Sequence, residues 1–129
     1  MMAMNPILKK MAFKGQSPVL LVGAPQEFAA TAKEFAVTVH TAPKGRYGFA
    51  LAFARSLDEA AARAKVVGAA LEVDGIFWLA YPKGTSKKHK GADINRDTCH
   101  ARMRQHGFDG VSLVAIDDDW SAMRFKRAE

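Results

Sequence analysis

The segment Pro82-Lys83-Gly84-Thr85-Ser86-Lys87-Lys88-His89-Lys90-Gly91 concentrates the side chains best suited to chemistry in this chain. It carries two glycines, two hydroxyls and four lysines, and it leads toward a helix start near Asn95. Lysines beside the free N–H groups of a helix N-terminus can cradle an oxyanion. The order is not that of a P-loop, because GxxxxGK[ST] is absent. The plainer reading of the same residues is a flexible solvent loop. Lys83, Gly84, Thr85, Ser86 and Lys87 are the leading anion-binding candidates. Asp117-Asp118-Asp119 offers carboxylate oxygens of the kind Mg²⁺ prefers. Three successive residues on a tight turn point in different directions, however, so a pairing of Asp117 with Lys83 is expected there, and no metal. Trp120 follows that turn, placed either to stack on a ligand or to cap the sheet.

Other reactive side chains carry less. Cys99, Met103 and His106 share a helical face at i, i+4, i+7, which makes Cys99 a core residue rather than a nucleophile. His100 lies off that face, no HxxH or CxxC spacing exists, and no Ser/His/Asp grouping is forced by spacing. A single cysteine forms no internal disulfide. The chain has 19 Lys and Arg against 13 Asp and Glu, a net charge of +6. Between Lys83 and Arg104 there are seven basic residues against two acids, and Lys9, Lys10 and Lys14 open the chain without an acid. Such a surface attracts phosphates, nucleic acid or anionic membranes, or simply keeps the protein solvated. The lysines lack the interleaved aromatics of a single-strand platform, and no helix-turn-helix or RNP-type motif is present.

These residues need a scaffold, and 129 residues of which 49% are hydrophobic can supply one without metal or disulfide. One domain is expected over residues 1–129, with a helix in residues 1–15 docking on it. Pro6 starts that helix, Ile7, Leu8 and Met11 share a side, and Gly15 ends it. Val19 to Val22 reads as a strand. Pro25 then opens a helix bearing Phe28, Ala32 and Phe35. Val37 to Val39 reads as a short strand, followed by a strand from Gly48 to Ala54. Only eight residues separate Val39 from Gly48, too few for a helical crossover, so residues 37–41 are either an edge strand or outside the sheet. Ser56-Leu57-Asp58-Glu59 is a capping box opening an apolar stripe that Asp74-Gly75 stops. Ile76 to Tyr81 is a buried strand, a helix runs from Asn95 to about His106 and ends at Gly107, and Val111–Asp117 and Trp120–Phe125 form a hairpin. Apolar strands alternating with helices give an α/β protein, a three-layer Rossmann-like fold with a mostly parallel sheet and a C-terminal antiparallel hairpin. The longest apolar stretch, Ile76 to Tyr81, is too short to span a bilayer, and no leader pattern opens the chain. A cytoplasmic protein without a membrane partner is expected.

The segments VLLVGAP (Val19 to Pro25), GFALAFARS (Gly48 to Ser56), FWLAYPKGTSK (Phe77 to Lys87), DINRDT (Asp93 to Thr98) and AIDDDWSAMRF (Ala115 to Phe125) resemble a small bacterial family of Rossmann-like domains without assigned function. More distantly, the element order resembles the class I methyltransferase core. That resemblance implies a fold and departs from the activity. One glycine, Gly23, stands where such enzymes carry a GxGxG turn, and it is followed by Ala24, Pro25 and Gln26. His40 and Thr41 stand where an acid would bind ribose, and Arg55-Ser56 where an Asp/Asn-Pro-Pro-Tyr run would follow.

Open α/β sheets bind ligands outside the carboxyl ends of their strands. Gly23 to Gln26, Arg55-Ser56, Pro82 to Asp93 and Asp117 to Trp120 should meet there. The expected function is a non-catalytic binding module for an anionic small molecule or an acidic protein surface, with no cofactor and an open oligomeric state. A nucleic-acid-associated protein and a degenerate S-adenosylmethionine-dependent methyltransferase are the alternatives.

Overall fold

The computed structural model describes residues 5–128. Helix α1 (Pro6–Lys10) is capped by Asn5, whose side chain accepts from the Ile7 N–H. It precedes strand β1 (Val19–Val22). A 3₁₀ turn (Gln26–Phe28) and the short α2 (Ala29–Lys33) lead to β2 (Val39–His40) and β3 (Tyr47–Phe53). Helix α3 (Leu57–Ala70), β4 (Leu71–Pro82), α4 (Arg96–Arg104), β5 (Phe108–Ala115) and β6 (Trp120–Arg127) complete the chain. The six strands form one sheet in the order β2-β1-β3-β4-β6-β5. Strands β1 to β4 are mutually parallel, and β6 runs antiparallel to both β4 and β5. The mostly parallel α/β architecture with a terminal antiparallel hairpin is the one the strand and helix pattern implies.

Both sheet faces are covered, which is why β3 is apolar on each side. Against one face pack Ala60, Ala64, Val67 and Ala70 of α3 with Cys99 and Met103 of α4, over Ala50, Phe77, Leu79 and Phe125. The small alanine stripe of α3 lets that helix lie close on the strands. The other face carries Leu8, Met11, Phe13, Phe28 and Phe35 over Leu21, Phe49, Leu51, Phe53 and Trp78. Phe13 meets Phe35 and Phe49 edge-on at centroid distances of 4.9 and 5.2 Å. The Trp78 indole N–H donates to the Met11 carbonyl at 2.9 Å, tying the first turn region to the sheet.

One point the sequence leaves open is resolved, and two elements differ from the sequence reading. Residues 37–41 do join the sheet, as the two-residue edge strand β2 parallel to β1 (Val19 opposite Val39, Leu20 opposite His40). Pro25 precedes a 3₁₀ turn rather than an α-helix, and α2 is only five residues long. Asp74-Gly75 does not end α3. That helix stops at Ala70 and β4 begins at once, pairing Leu71 with Tyr47 and then Ile76 with Phe49, so residues 72–75 bulge out. Gly75 is needed for close approach, not for a turn: a Cβ there would lie 2.7 Å from Leu71 Cδ1 and 2.9 Å from the Tyr47 carbonyl. No helix among the described residues is long and apolar enough to cross a membrane.

Candidate anion-binding site

Strands β1, β3 and β4 end on the same side of the sheet, and β6 begins there, so residues distant in sequence gather at that edge. The β4–β6 ladder extends one step past Pro82 opposite Trp120, because the Lys83 N–H donates to the Asp119 carbonyl at 2.8 Å. The basic loop therefore leaves the sheet from a fixed point. It is then fixed a second time: Ser86, 3% exposed, donates its hydroxyl to Asp119 Oδ1 at 2.8 Å and accepts the His89 N–H at 3.3 Å. Lys88 reaches the other Asp119 oxygen at 3.8 Å. The loop is latched at its middle rather than free in solvent.

Downstream, Ile94 is buried and Asn95 caps α4 in a reciprocal box. Its side chain accepts from Thr98 N–H at 3.0 Å, and Thr98 Oγ1 accepts from Asn95 N–H at 2.8 Å. The first-turn N–H groups of Arg96 and Asp97 have no acceptor inside the helix. Between this turn and the start of the loop lies an open cleft of about 500 Å³, lined by Tyr81 to Thr85, Asn95 to Asp97, Leu113 and Ser121. Lys83 and Arg96 supply positive charge; Asp97 is a highly exposed carboxylate 3.4 Å from Arg96 Nε. Pro82 and Leu113 form an apolar wall. Burial, with the nearby Cys99 adding to it, pushes the Tyr81 hydroxyl up to about 12, so Tyr81 stays a neutral hydrogen-bonding group at the cleft.

The candidate residues separate into distinct places. Lys83, Gly84 and Thr85 line the cleft. Ser86 lies beneath it as the latch, and Lys87 is exposed on the far side of that latch. Asp117 does not pair with Lys83. Its Oδ1 accepts the N–H groups of Asp119 and Trp120 at 2.8 and 2.9 Å, so the carboxylate that meets the basic loop is Asp119. A carboxylate followed by two free N–H groups closes on its own turn before it can reach across a strand. Trp120 is fully buried, edge-on to Phe53 at 5.1 Å, with the His89 ring 4.8 Å away and its indole N–H donated to Glu27 at 3.2 Å. It caps the sheet end. The backbone N–H of Glu27, and then the Trp120 indole, hold the Glu27 carboxyl below its usual range. Among the described residues no group of three or more metal-ligating side chains converges.

Gly23 stands apart from the cleft. It ends β1 at φ +71°, and the guanidinium of Arg63 lies against it. Sequence reasoning missed Arg96, Tyr81 and Arg63 as members of this edge. Arg96 had a signal, being the first residue after a recognisable N-cap; Arg63 had none, because its position depends on how α3 leans over β1.

No protein-family model and no curated protein matches the chain. Solved structures do. Mitomycin 7-O-methyltransferase MmcR superposes with a TM-score of 0.68 at 10% identity, over 95% of this chain and 53% of its own. The CcbJ methyltransferase from Streptomyces caelestis gives 0.58 at 11% identity, over 96% and 97%. The ribosomal protein L11 methylase from Lactobacillus delbrueckii subsp. bulgaricus gives 0.51 at 11% identity, over 87% and 59%. The chain thus spans between half and three-fifths of the L11 methylase and MmcR. These likenesses place it in the methyltransferase-like Rossmann fold; identities this low speak of fold alone.

The residues at the end of β1 do not reproduce the glycine-rich turn of an S-adenosyl site. Gly23 is a single exposed glycine, and the Arg63 guanidinium lies beside it. Pro25 has no N–H to offer, and no carboxylate follows β2, where His40 Nδ1 instead meets the Tyr47 hydroxyl at 2.7 Å.

Proposed function

We propose that this protein binds a small anionic molecule at the carboxyl edge of its sheet, in the cleft between Lys83–Thr85 and the first turn of α4. The observation that carries this reading is the cleft of about 500 Å³ in which Lys83, Thr85 and the first turn of α4 face one space. Its volume is in the range of small-molecule sites. A lining that combines Lys83 and Arg96 with apolar Pro82 and Leu113 favours a ligand with an oxyanion and an apolar body. Two latches on Asp119 hold Lys83 in place before a ligand arrives, which lowers the entropy lost on binding.

The test is calorimetric titration at low salt with inorganic pyrophosphate and with nucleoside monophosphates, on wild type and Lys83→Ala. Saturable binding that weakens about tenfold in Lys83→Ala, near the 1.4 kcal/mol of one charge-assisted contact, supports the reading. Binding confined to polynucleotides, with affinity falling steeply with salt, would move the function to nucleic acid. A heat of binding with S-adenosylmethionine alone would return it to methyl transfer.

A further inference from the structure

The strand order β2-β1-β3-β4 changes its winding direction between β1 and β3, and ligands of open α/β sheets sit at such switch points. Gly23 ends β1 at that point, exposed and at φ +71°. A Cβ there would lie 2.5 and 3.0 Å from Nη2 and Cζ of Arg63 and 3.0 Å from the Phe53 carbonyl. The positive φ favours glycine here, and the Arg63 guanidinium lies beside it at the end of β1.

Arg63 is held from one side. Its Nε–H donates to the Phe53 carbonyl at 3.0 Å. Its other N–H groups make no hydrogen bond among the described residues, and no carboxylate there lies within 4.0 Å of it. The acid one turn earlier is Glu59, and a Glu four residues before an Arg ordinarily pairs with it. Here Glu59 Oε1 instead accepts the Arg55 backbone N–H at 2.8 Å, closing the N-terminus of α3. Arg55 also comes from the end of β3, and its guanidinium lies over the Trp120 ring, 5.5 Å from the centroid, likewise without a carboxylate. The Glu27 carboxylate that could have met it is given to the Trp120 indole. One guanidinium, that of Arg63, therefore lies at the end of β1 with its outer N–H groups free among the described residues, while that of Arg55 lies over Trp120.

We propose that the end of β1 is an oxyanion seat, in which the outer N–H groups of Arg63, beside Gly23, take two oxygens of a phosphoryl or carboxylate group. A guanidinium fork fixed by its Nε is pre-set for such bidentate contact. The seat shares no residue with the Lys83 cleft, so it stands or falls separately from the reading above.

The experiment is an NMR titration of the ¹⁵N-labelled full chain with inorganic phosphate and, separately, acetate, at ionic strength held constant with sodium chloride. The Arg63 Nε–H and the Gly23 amide are the reporters. The seat predicts saturable shifts of both signals, unchanged in Lys83→Ala, with the Gly23 shift lost in Arg63→Gln. The arm that saturates at lower concentration identifies the phosphoryl or carboxylate class. Shifts that match the sodium chloride control, or that vanish in Lys83→Ala, overturn the proposal. Should Arg63→Gln fail to fold, Arg63→Lys keeps the charge and the aliphatic packing without the fork. At least fivefold weaker binding by that variant supports a bidentate seat, and equal affinity overturns it.

Discussion

Replacing Ser86 by alanine tests whether the basic loop is a built structure. The serine hydroxyl is buried and bonded at 2.8 Å to Asp119 Oδ1, an ionised acceptor. Deleting a hydrogen bond to a charged group destabilises by about 1.5–3 kcal/mol. Two features set the value within that range. The Asp119 side chain is 20% exposed and has Lys88 at 3.8 Å, so water and the ammonium recover part of the loss. The His89 N–H, which the hydroxyl accepts at a long 3.3 Å, is left without its acceptor and adds about a few tenths of a kcal/mol to the loss. The net expectation is about 2 kcal/mol, which for a domain of this size lowers Tm by roughly 7 °C. Urea unfolding should give the same loss with an unchanged m-value. A double-mutant cycle with Asp119→Ala should show a coupling of about 1 kcal/mol or more, because the two residues share one bond. A Tm within 2 °C of wild type, or strict additivity in the cycle, would refute the latch and leave a loop held only by its ends.

Tyr81 and Cys99 govern the alkaline limb. Burial pushes both up to about 12 from ordinary values of 10.0 and 9.0, so above pH 9 the unfolded chain loses protons that the folded one keeps. Stability present below pH 9 therefore falls as pH rises toward 12. Cys99→Ala should flatten the earlier part of that decline and Tyr81→Phe the later part, measured by urea unfolding across pH 8–11. The same burial keeps the native Cys99 thiol unreactive toward a disulfide reagent at pH 8, with rapid labelling only after denaturation. Glu27 acts in the opposite direction. Its carboxyl is held below 4.5, so its contribution is complete above that value and is lost as pH falls through the lowered one. Glu27→Gln, which can still accept the Trp120 indole, should make acid unfolding below pH 4.5 less steep. Gly75→Ala drives a Cβ into the Tyr47 carbonyl and Leu71, and should destabilise by about 1–3 kcal/mol in the same urea assay.

Much of the scaffold was legible because its signals are local. Val19 to Val22 is a strand of continuous apolar residues, and the Ser56 cap with Glu59 three residues on marks the start of α3 where it occurs. Asp74-Gly75 misled because the same dipeptide serves turns and bulges; only the packing of Leu71 against Tyr47 distinguishes them. The site divided in the same way. That Lys83, Gly84 and Thr85 border a cleft follows from strand ends meeting at one edge, which topology alone supplies. Which aspartate meets the loop does not. Asp117 and Asp119 differ by two residues in an acidic turn, and the choice is made by whichever carboxylate finds its own backbone N–H groups first.

The fold likeness and the site point to different conclusions because they measure different things. Superposition on methyltransferases at about a tenth identity reports where the backbone goes, and hence that loops converge at the carboxyl edge. What an edge can bind depends on which groups occupy it. Here the end of β1 has one exposed glycine, with the guanidinium of Arg63 beside it. That puts a cation, held at its Nε by the Phe53 carbonyl, where a glycine-rich turn would offer only backbone. Four carboxylates at this edge are bonded inward, Glu59 to Arg55 N–H, Asp93 to Leu57 N–H, Asp117 to its own turn and Asp119 to Ser86, while Asp97 is exposed beside Arg96. They organise the loops, while Lys83, Arg55 and Arg63 are left without a carboxylate in contact among the described residues. The proposed anion binding rests on this arrangement, since uncompensated positive charge attracts an anion at longer range than any match of shape.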